Sequence, residues 1–311
     1  MKMIGMFTRG RKLIGLIAIA MFCMVNFGTW AGAADKKVVV GSKNFTEQRI
    51  LSEIMIQLLN NRGFQCEDKT GLGGTLVARK ALENGQIDMY MEYTGTALVT
   101  MLKEETVITD PQACYDFVKK ADLERNNLVW MPYMAFNNTY CLMMTSANAA
   151  AKKIKTLSDL SAFVKANPDK VRFGTNEEFY ARPDGYKPLQ KKYDFQFPDD
   201  KIIKMTPGLL YKALQDNDIE VAMGFATDGR IKGMNLVVLE DDLKYFPVYN
   251  PAPVVRKEIA EKYPELKTIF AELAEKLDTR TMTNLNYAVD GEHKAVKDVS
   301  AEFLKGAGLI K

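Results

Sequence analysis

Histidine is nearly absent from this chain, with one in 311 residues, and cysteine is scarce, with four. The single His293 stands in the polar run GEHKAV with no clustered partner, and no CxxC occurs, so neither a zinc or iron site nor a cysteine–histidine nucleophile has the residues it needs. His293 reads as a surface residue. Nucleotide-binding loops are missing as well. The stretch GLGGT at 71–75 lacks the GxGxxG spacing, and no GxxxxGK[ST] is present. Long apolar runs are limited to one, Leu13–Phe27, which falls short of the roughly 20 residues a retained membrane helix requires.

That one run has a different meaning. Lys2, Arg9, Arg11 and Lys12 precede it, and Ala31-Gly32-Ala33 follows with small side chains. This is the order of a secretory signal peptide, with cleavage expected near Ala33 and export to the periplasm. Met21-Phe22 before Cys23 are too bulky for a lipid-attachment site. The net charge of +3 is carried by the signal, whose four basic residues face no acids; its removal leaves the mature chain near −1 and gives no basic surface for nucleic acid. About 278 residues remain, enough for two α/β lobes. Three cysteines remain too, Cys66, Cys114 and Cys141, so at most one disulfide forms; whether Cys66 and Cys114 pair stays open at this point.

What the chain does contain is a pattern that occurs twice. Residues 80–96, KALENGQIDMYMEYTGT, and residues 212–228, KALQDNDIEVAMGFATD, align without a gap. Each reads as the end of a helix, a polar turn, a buried strand, and an aromatic where the strand finishes, Tyr93 in one copy and Phe225 in the other. Ligands of open α/β sheets bind at the carboxyl ends of strands, so the repeat points to a cleft between two lobes.

The rest of the chain supports strand–helix alternation and a largely parallel sheet in each lobe. Val38-Val39-Val40-Gly41 is a short buried strand. Ile50, Leu51, Ile54, Leu58 and Leu59 are spaced for one helix face, with Asn44 or Thr46 as cap and Glu47 complementing the helix dipole. A strand is expected near 64–69, a helix through Leu82, a strand over 140–144, a helix over 157–166 and a strand over 171–174. Two crossings, near Cys141 and Val248, make the second lobe (141–249) an insertion in the first (34–140 and 250–311). Such a topology permits hinge closure.

Seven segments in order, GSKNFTEQ at 41–48, LGGT at 72–75, IDMYMEYTGTAL at 87–98, NNTYCL at 137–142, RPDG at 182–185, FATDGRI at 225–231 and YFPVYNPAPVV at 245–255, resemble the substrate-binding proteins of glycine betaine/choline ABC transporters. The resemblance covers nearly the whole mature chain. It implies the two-lobed type II periplasmic-binding-protein fold, and capture of a quaternary-ammonium solute such as glycine betaine or choline for an ABC permease and its ATPase, in osmoprotection. Carnitine, ergothioneine or a sensor role on the same fold are the alternatives. It also implies a monomer without cofactor or metal.

The resemblance carries an aromatic cage for the trimethylammonium group onto Tyr93, Tyr140, Phe225 and Tyr249. A quaternary ammonium has no N–H to donate and is recognised by the negative faces of aromatic rings. The solute's carboxylate is carried onto Lys43 and Arg182, the latter able to engage it bidentately, with Thr96 and Asn138 as polar contacts. Phe225 stands where several members carry Tyr, and Asn138 where some carry Asp. An exported enzyme is the competing class, with Glu92, Asp184 and Asp228 as candidate acids, but no nucleophile or metal cluster joins them.

Overall fold

The computed structural model describes Met1 and residues 36–311; the expected signal segment lies outside the described residues. Lys37–Lys311 form one compact unit. Ten strands build two five-stranded sheets: β1 Lys36–Lys43, β2 Phe64–Gly73, β3 Met89–Tyr93, β4 Leu128–Trp130, β5 Tyr140–Thr145, β6 Phe173–Thr175, β7 Ile202–Lys204, β8 Val221–Phe225, β9 Leu236–Val238 and β10 Pro251–Arg256. The first sheet has the order β2-β1-β3-β10-β4 and the second β7-β6-β8-β5-β9. The chain therefore leaves the first sheet after β4 and returns to it with β10.

Both sheets are mixed. β1 is parallel to β3, and β6 is parallel to both β7 and β8. In each sheet the strand that follows a crossing runs the other way: β10 is antiparallel to β3 and β4, and β5 is antiparallel to β8 and β9. A chain arriving from the opposite lobe enters at the ligand end of the sheet, where strands built by βαβ units finish, and so must run against them. The register is matched in the two lobes. β10 starts with Pro251 opposite Tyr93, and β5 starts with Tyr140 opposite Phe225.

Side-chain alternation explains the layers. Along β3, Met89 and Met91 enter a core with Val38, Val40 and the helix Thr46–Asn61, while Tyr90 points to the other face with Trp130 and Val254. The helix Thr46–Asn61 buries Ile50, Leu51, Ile54, Leu58 and Leu59, the stripe its spacing predicts, and Met55 in addition. Each fully buried aliphatic of this kind stabilises the fold by about 1.5–3 kcal/mol. The second sheet has its own core, with Leu142, Phe173, Leu210, Leu214 and Val221.

Local signals hold where they were legible. The helix Leu157–Ala166 starts at a capping box, Thr156 with Asp159. At the helix Thr46–Asn61 the expected cap is corrected: Phe45 occupies the N-cap position with no side-chain cap, and Thr46 Oγ1 donates instead to Asp290 Oδ1 at 2.7 Å. β2 also continues through Gly71 to Gly73, beyond the expected end near 69. Cys66, Cys114 and Cys141 are all free thiols.

Candidate functional site

The two copies of the repeat fold alike. The helices Thr75–Glu83 and Pro207–Gln215 each lead through a turn into β3 and β8, whose last residues are Tyr93 and Phe225. Beside them sit Tyr140, the first residue of β5, and Tyr249, which precedes β10 by two residues. Gly95 makes room for the last of these. A Cβ there would meet the Val248 carbonyl oxygen at 2.6 Å and the Tyr249 ring at 2.9 Å.

These strand ends open on a cavity of about 790 Å³. Lys43, Tyr93, Thr96, Asn138, Tyr140, Phe225 and Tyr249 line it, so seven of the eight expected site residues share one wall system. Arg182 is not on that wall. Its Nε and Nη2 donate to Asp184 Oδ1 and Oδ2 at 2.7 and 2.6 Å, and its guanidinium carbon lies 5.3 Å from the Tyr140 ring centre. Asp184 occupies the Nε–Nη2 edge, so bidentate contact with a ligand carboxylate, as expected of Arg182, falls to its Nη1–Nη2 edge, which makes only 3.4 Å contacts with Glu178 and Thr96. Burial alone lowers the Arg182 pKa, but Tyr140 and Asp184 outweigh it and hold the guanidinium charged.

The rings form an arc. Tyr140 lies 5.3 Å from Phe225 and 5.6 Å from Tyr249, edge-on to the latter. Phe225 stacks on Phe45 at 5.5 Å with planes 7° apart, and Phe45 in turn lies 6.4 Å from Tyr93. Phe45 thus joins the ring from one lobe to the ring from the other.

Below the arc lies Glu47, buried, with four donors on its carboxylate. Tyr93 Oη and Asn138 Nδ2 donate to Oε1 at 2.8 and 2.7 Å, and Asn286 Nδ2 and Thr227 Oγ1 donate to Oε2 at 2.9 and 2.5 Å. Burial pushes this carboxyl above its ordinary range, against the pull of those hydrogen bonds. Lys43 Nζ sits 5.3 Å from the Tyr93 ring centre and pairs with buried Glu92 at 2.6 Å. The other candidate acids are paired as well, Asp184 with Arg182 and Asp228 with Arg230.

Several contacts tie the lobes together around the cavity. Thr227, past β8, reaches Glu47; Thr75 Oγ1 donates to Glu178 Oε1; Arg230 pairs with Asp290 at 3.0 Å. The lobes are closed on each other.

A profile of the substrate-binding domain of ABC-type glycine betaine transport systems matches residues 36–306. This chain belongs to that family. It is 40% identical over 299 residues to a glycine-betaine-binding protein of Pseudomonas aeruginosa, covering 94% of this chain and 95% of the relative. A carnitine transport binding protein of Listeria monocytogenes is 37% identical over 277 residues, covering 88% of each chain. A crystal structure of a glycine betaine/carnitine/choline ABC transporter protein superposes with a TM-score of 0.72 at 30% identity, over 89% of this chain and 100% of that one. Membership makes the chain a substrate-binding component with a small-molecule ligand and a permease as partners. Among the described residues no helix is long and apolar enough to cross a membrane.

Two residues of the site were not singled out in the sequence, Phe45 and the binding role of Glu47. Glu47 was read as a helix-dipole partner. The signal that points to both is their place in GSKNFTEQ, two and four residues after Lys43.

Proposed function

We propose that this chain captures a quaternary-ammonium solute, glycine betaine, choline or a related betaine, between its lobes and delivers it to an inner-membrane permease driven by its ATPase. The single observation that supports this is the arc of Tyr93, Phe225, Tyr140 and Tyr249 around one cavity, two rings from each side of the crossings. Each ring face contributes about 0.5–2 kcal/mol to a desolvated cation. Lys43, Thr96 and Arg182 are the groups for a ligand carboxylate, and Asn138 for a polar contact. The carnitine-binding relative makes carnitine the second ligand to test.

In this reading lobe 1 is residues 34–140 with 250–311, lobe 2 is 141–249, and a ligand that contacts both favours the closed form. The mature protein is a periplasmic monomer released by cleavage near Ala33. It performs no chemistry and needs no cofactor. Its candidate acids Glu92, Asp184 and Asp228 neutralise Lys43, Arg182 and Arg230.

The test is titration of the mature protein with glycine betaine, choline, carnitine, proline betaine and ergothioneine, followed by intrinsic fluorescence. Binding of at least one, lost in Tyr93→Ala, is expected. Binding only of solutes without a cationic nitrogen contradicts the reading, and turnover of a bound solute replaces it with an enzyme.

A further inference from the structure

Two of the three cage tyrosines share an arrangement that ring packing does not require. Tyr93 Oη donates to Glu47 Oε1 at 2.8 Å, and Tyr249 Oη donates to Asp184 Oδ2 at 2.6 Å. Both acceptors are buried carboxylates, 3% and 5% exposed. A phenol that donates to an anion gains electron density on its oxygen and, by resonance, on its ring. The face of such a ring attracts a cation more strongly than that of an unperturbed phenol. Both phenols are also held well above their ordinary pKa, by burial first and then by the adjacent carboxylate, so each keeps its proton and remains a donor.

We propose that Glu47 and Asp184 are positioning residues for cation recognition, acting through the phenols of Tyr93 and Tyr249 to fix these two rings and to enrich the faces they turn to the ligand. This rests on the reading of the site as a cage for a quaternary ammonium. The two carboxylates differ in what else they do. Asp184 is bonded to the Arg182 guanidinium, which balances its charge. The four side chains that donate to Glu47 are all neutral, and the nearby Lys43 ammonium, 5.3 Å from the Tyr93 ring centre, is bonded to Glu92 rather than to Glu47. Glu47 also takes the Thr227 hydroxyl from the other lobe, so closing the lobes completes its set of donors at the moment the rings meet. Phe225, which has no hydroxyl, and Tyr140, whose hydroxyl is not bonded to a carboxylate of the described residues as those of Tyr93 and Tyr249 are, are the cage walls without this support.

The experiment compares choline with its neutral carbon isostere 3,3-dimethyl-1-butanol, by calorimetry or by competition, on the mature protein and on Tyr93→Phe, Tyr249→Phe and Glu47→Gln. The ring survives in the Phe variants, and they remain informative if Glu47→Gln fails to fold. The proposal expects Tyr93→Phe and Glu47→Gln each to weaken choline by about five- to tenfold while the isostere changes less than about twofold. Tyr249→Phe is expected to show a smaller loss in the same direction, and Tyr93→Phe with Glu47→Gln together to cost no more than either alone. Choline affinity within twofold of wild type in Tyr93→Phe and Tyr249→Phe overturns it, as does equal weakening of choline and isostere, which marks a purely steric role. Tyr93→Ala separates the two levels: if it abolishes choline binding while the Phe variants retain it, the cage stands and this proposal falls. If it too binds normally, the cage reading itself fails.

Discussion

At the scale of the residue, the site is decided by a few side chains whose surroundings differ more than their types. Tyr93 and Phe225 end equivalent strands, yet one donates to a buried carboxylate and the other stacks on Phe45. Phe45 is the structural support of both, so Phe45→Ala leaves two cage walls without backing. We expect it to weaken quaternary-amine binding by about tenfold, with the loss mainly in a faster dissociation rate, measurable by stopped-flow fluorescence. Of the four rings at the cavity, Tyr93 and Phe225 were legible from the repeat, which puts each at the end of a strand, whereas Tyr140 and Tyr249 came only from the resemblance. The role of Glu47 was not legible, because its donors lie 46, 91, 180 and 239 positions away, and only the folded chain brings them to one carboxylate. The same holds for Arg182. Its charge was evident, but its engagement by Asp184, two residues on, depends on a buried conformation that spacing does not reveal.

At the scale of the element, the repeated unit of helix, turn and strand accounts for the placement of two rings, and the crossings account for the other two. β5 and β10 enter antiparallel beside β8 and β3, which sets Tyr140 opposite Phe225 and brings Tyr249 close to Tyr93. Helix stripes and the capping box at Thr156 were readable from local pattern. The direction of the crossing strands was not, since it is imposed by where the chain re-enters a sheet. Gly95 is the close approach that lets the segment 248–249 lie on the turn after β3. Gly95→Ala forces a shift against the Val248 carbonyl. We expect a loss of about 1–3 kcal/mol of stability by denaturant titration, together with weakened ligand binding as Tyr249 is displaced.

At the scale of the whole molecule, closure is held by contacts that cross between the lobes, and three of them place a carboxyl there: burial raises Glu47 and Asp290, whereas Glu178 is lowered. Burial alone raises the Glu178 carboxyl, but Lys43, its hydrogen bond with Thr75, and Arg182 outweigh it and hold the group below 4.5. A depressed carboxyl of this kind stabilises the form in which it is paired above pH 4.5, and that contribution is lost as the pH falls through its lower folded value. Glu178→Gln is therefore expected to keep its lobes together better than wild type as the pH drops below 4.5, read by small-angle scattering, while modestly weakening binding at neutral pH; Glu47 and Asp290, raised by burial, act in the opposite sense in both proteins. The two-lobed architecture was legible from alternation and the repeat together; the closed arrangement and its contacts belong to the folded structure alone. The central claim is that the cavity recognises a positive charge with rings. Its most direct measurement is the affinity of the mature protein for glycine betaine against its carbon isostere 3,3-dimethylbutanoate, which has the same shape and carboxylate but no cation. A preference for glycine betaine of about 100-fold or more is expected from several ring faces acting together, whereas equal affinities would contradict the claim.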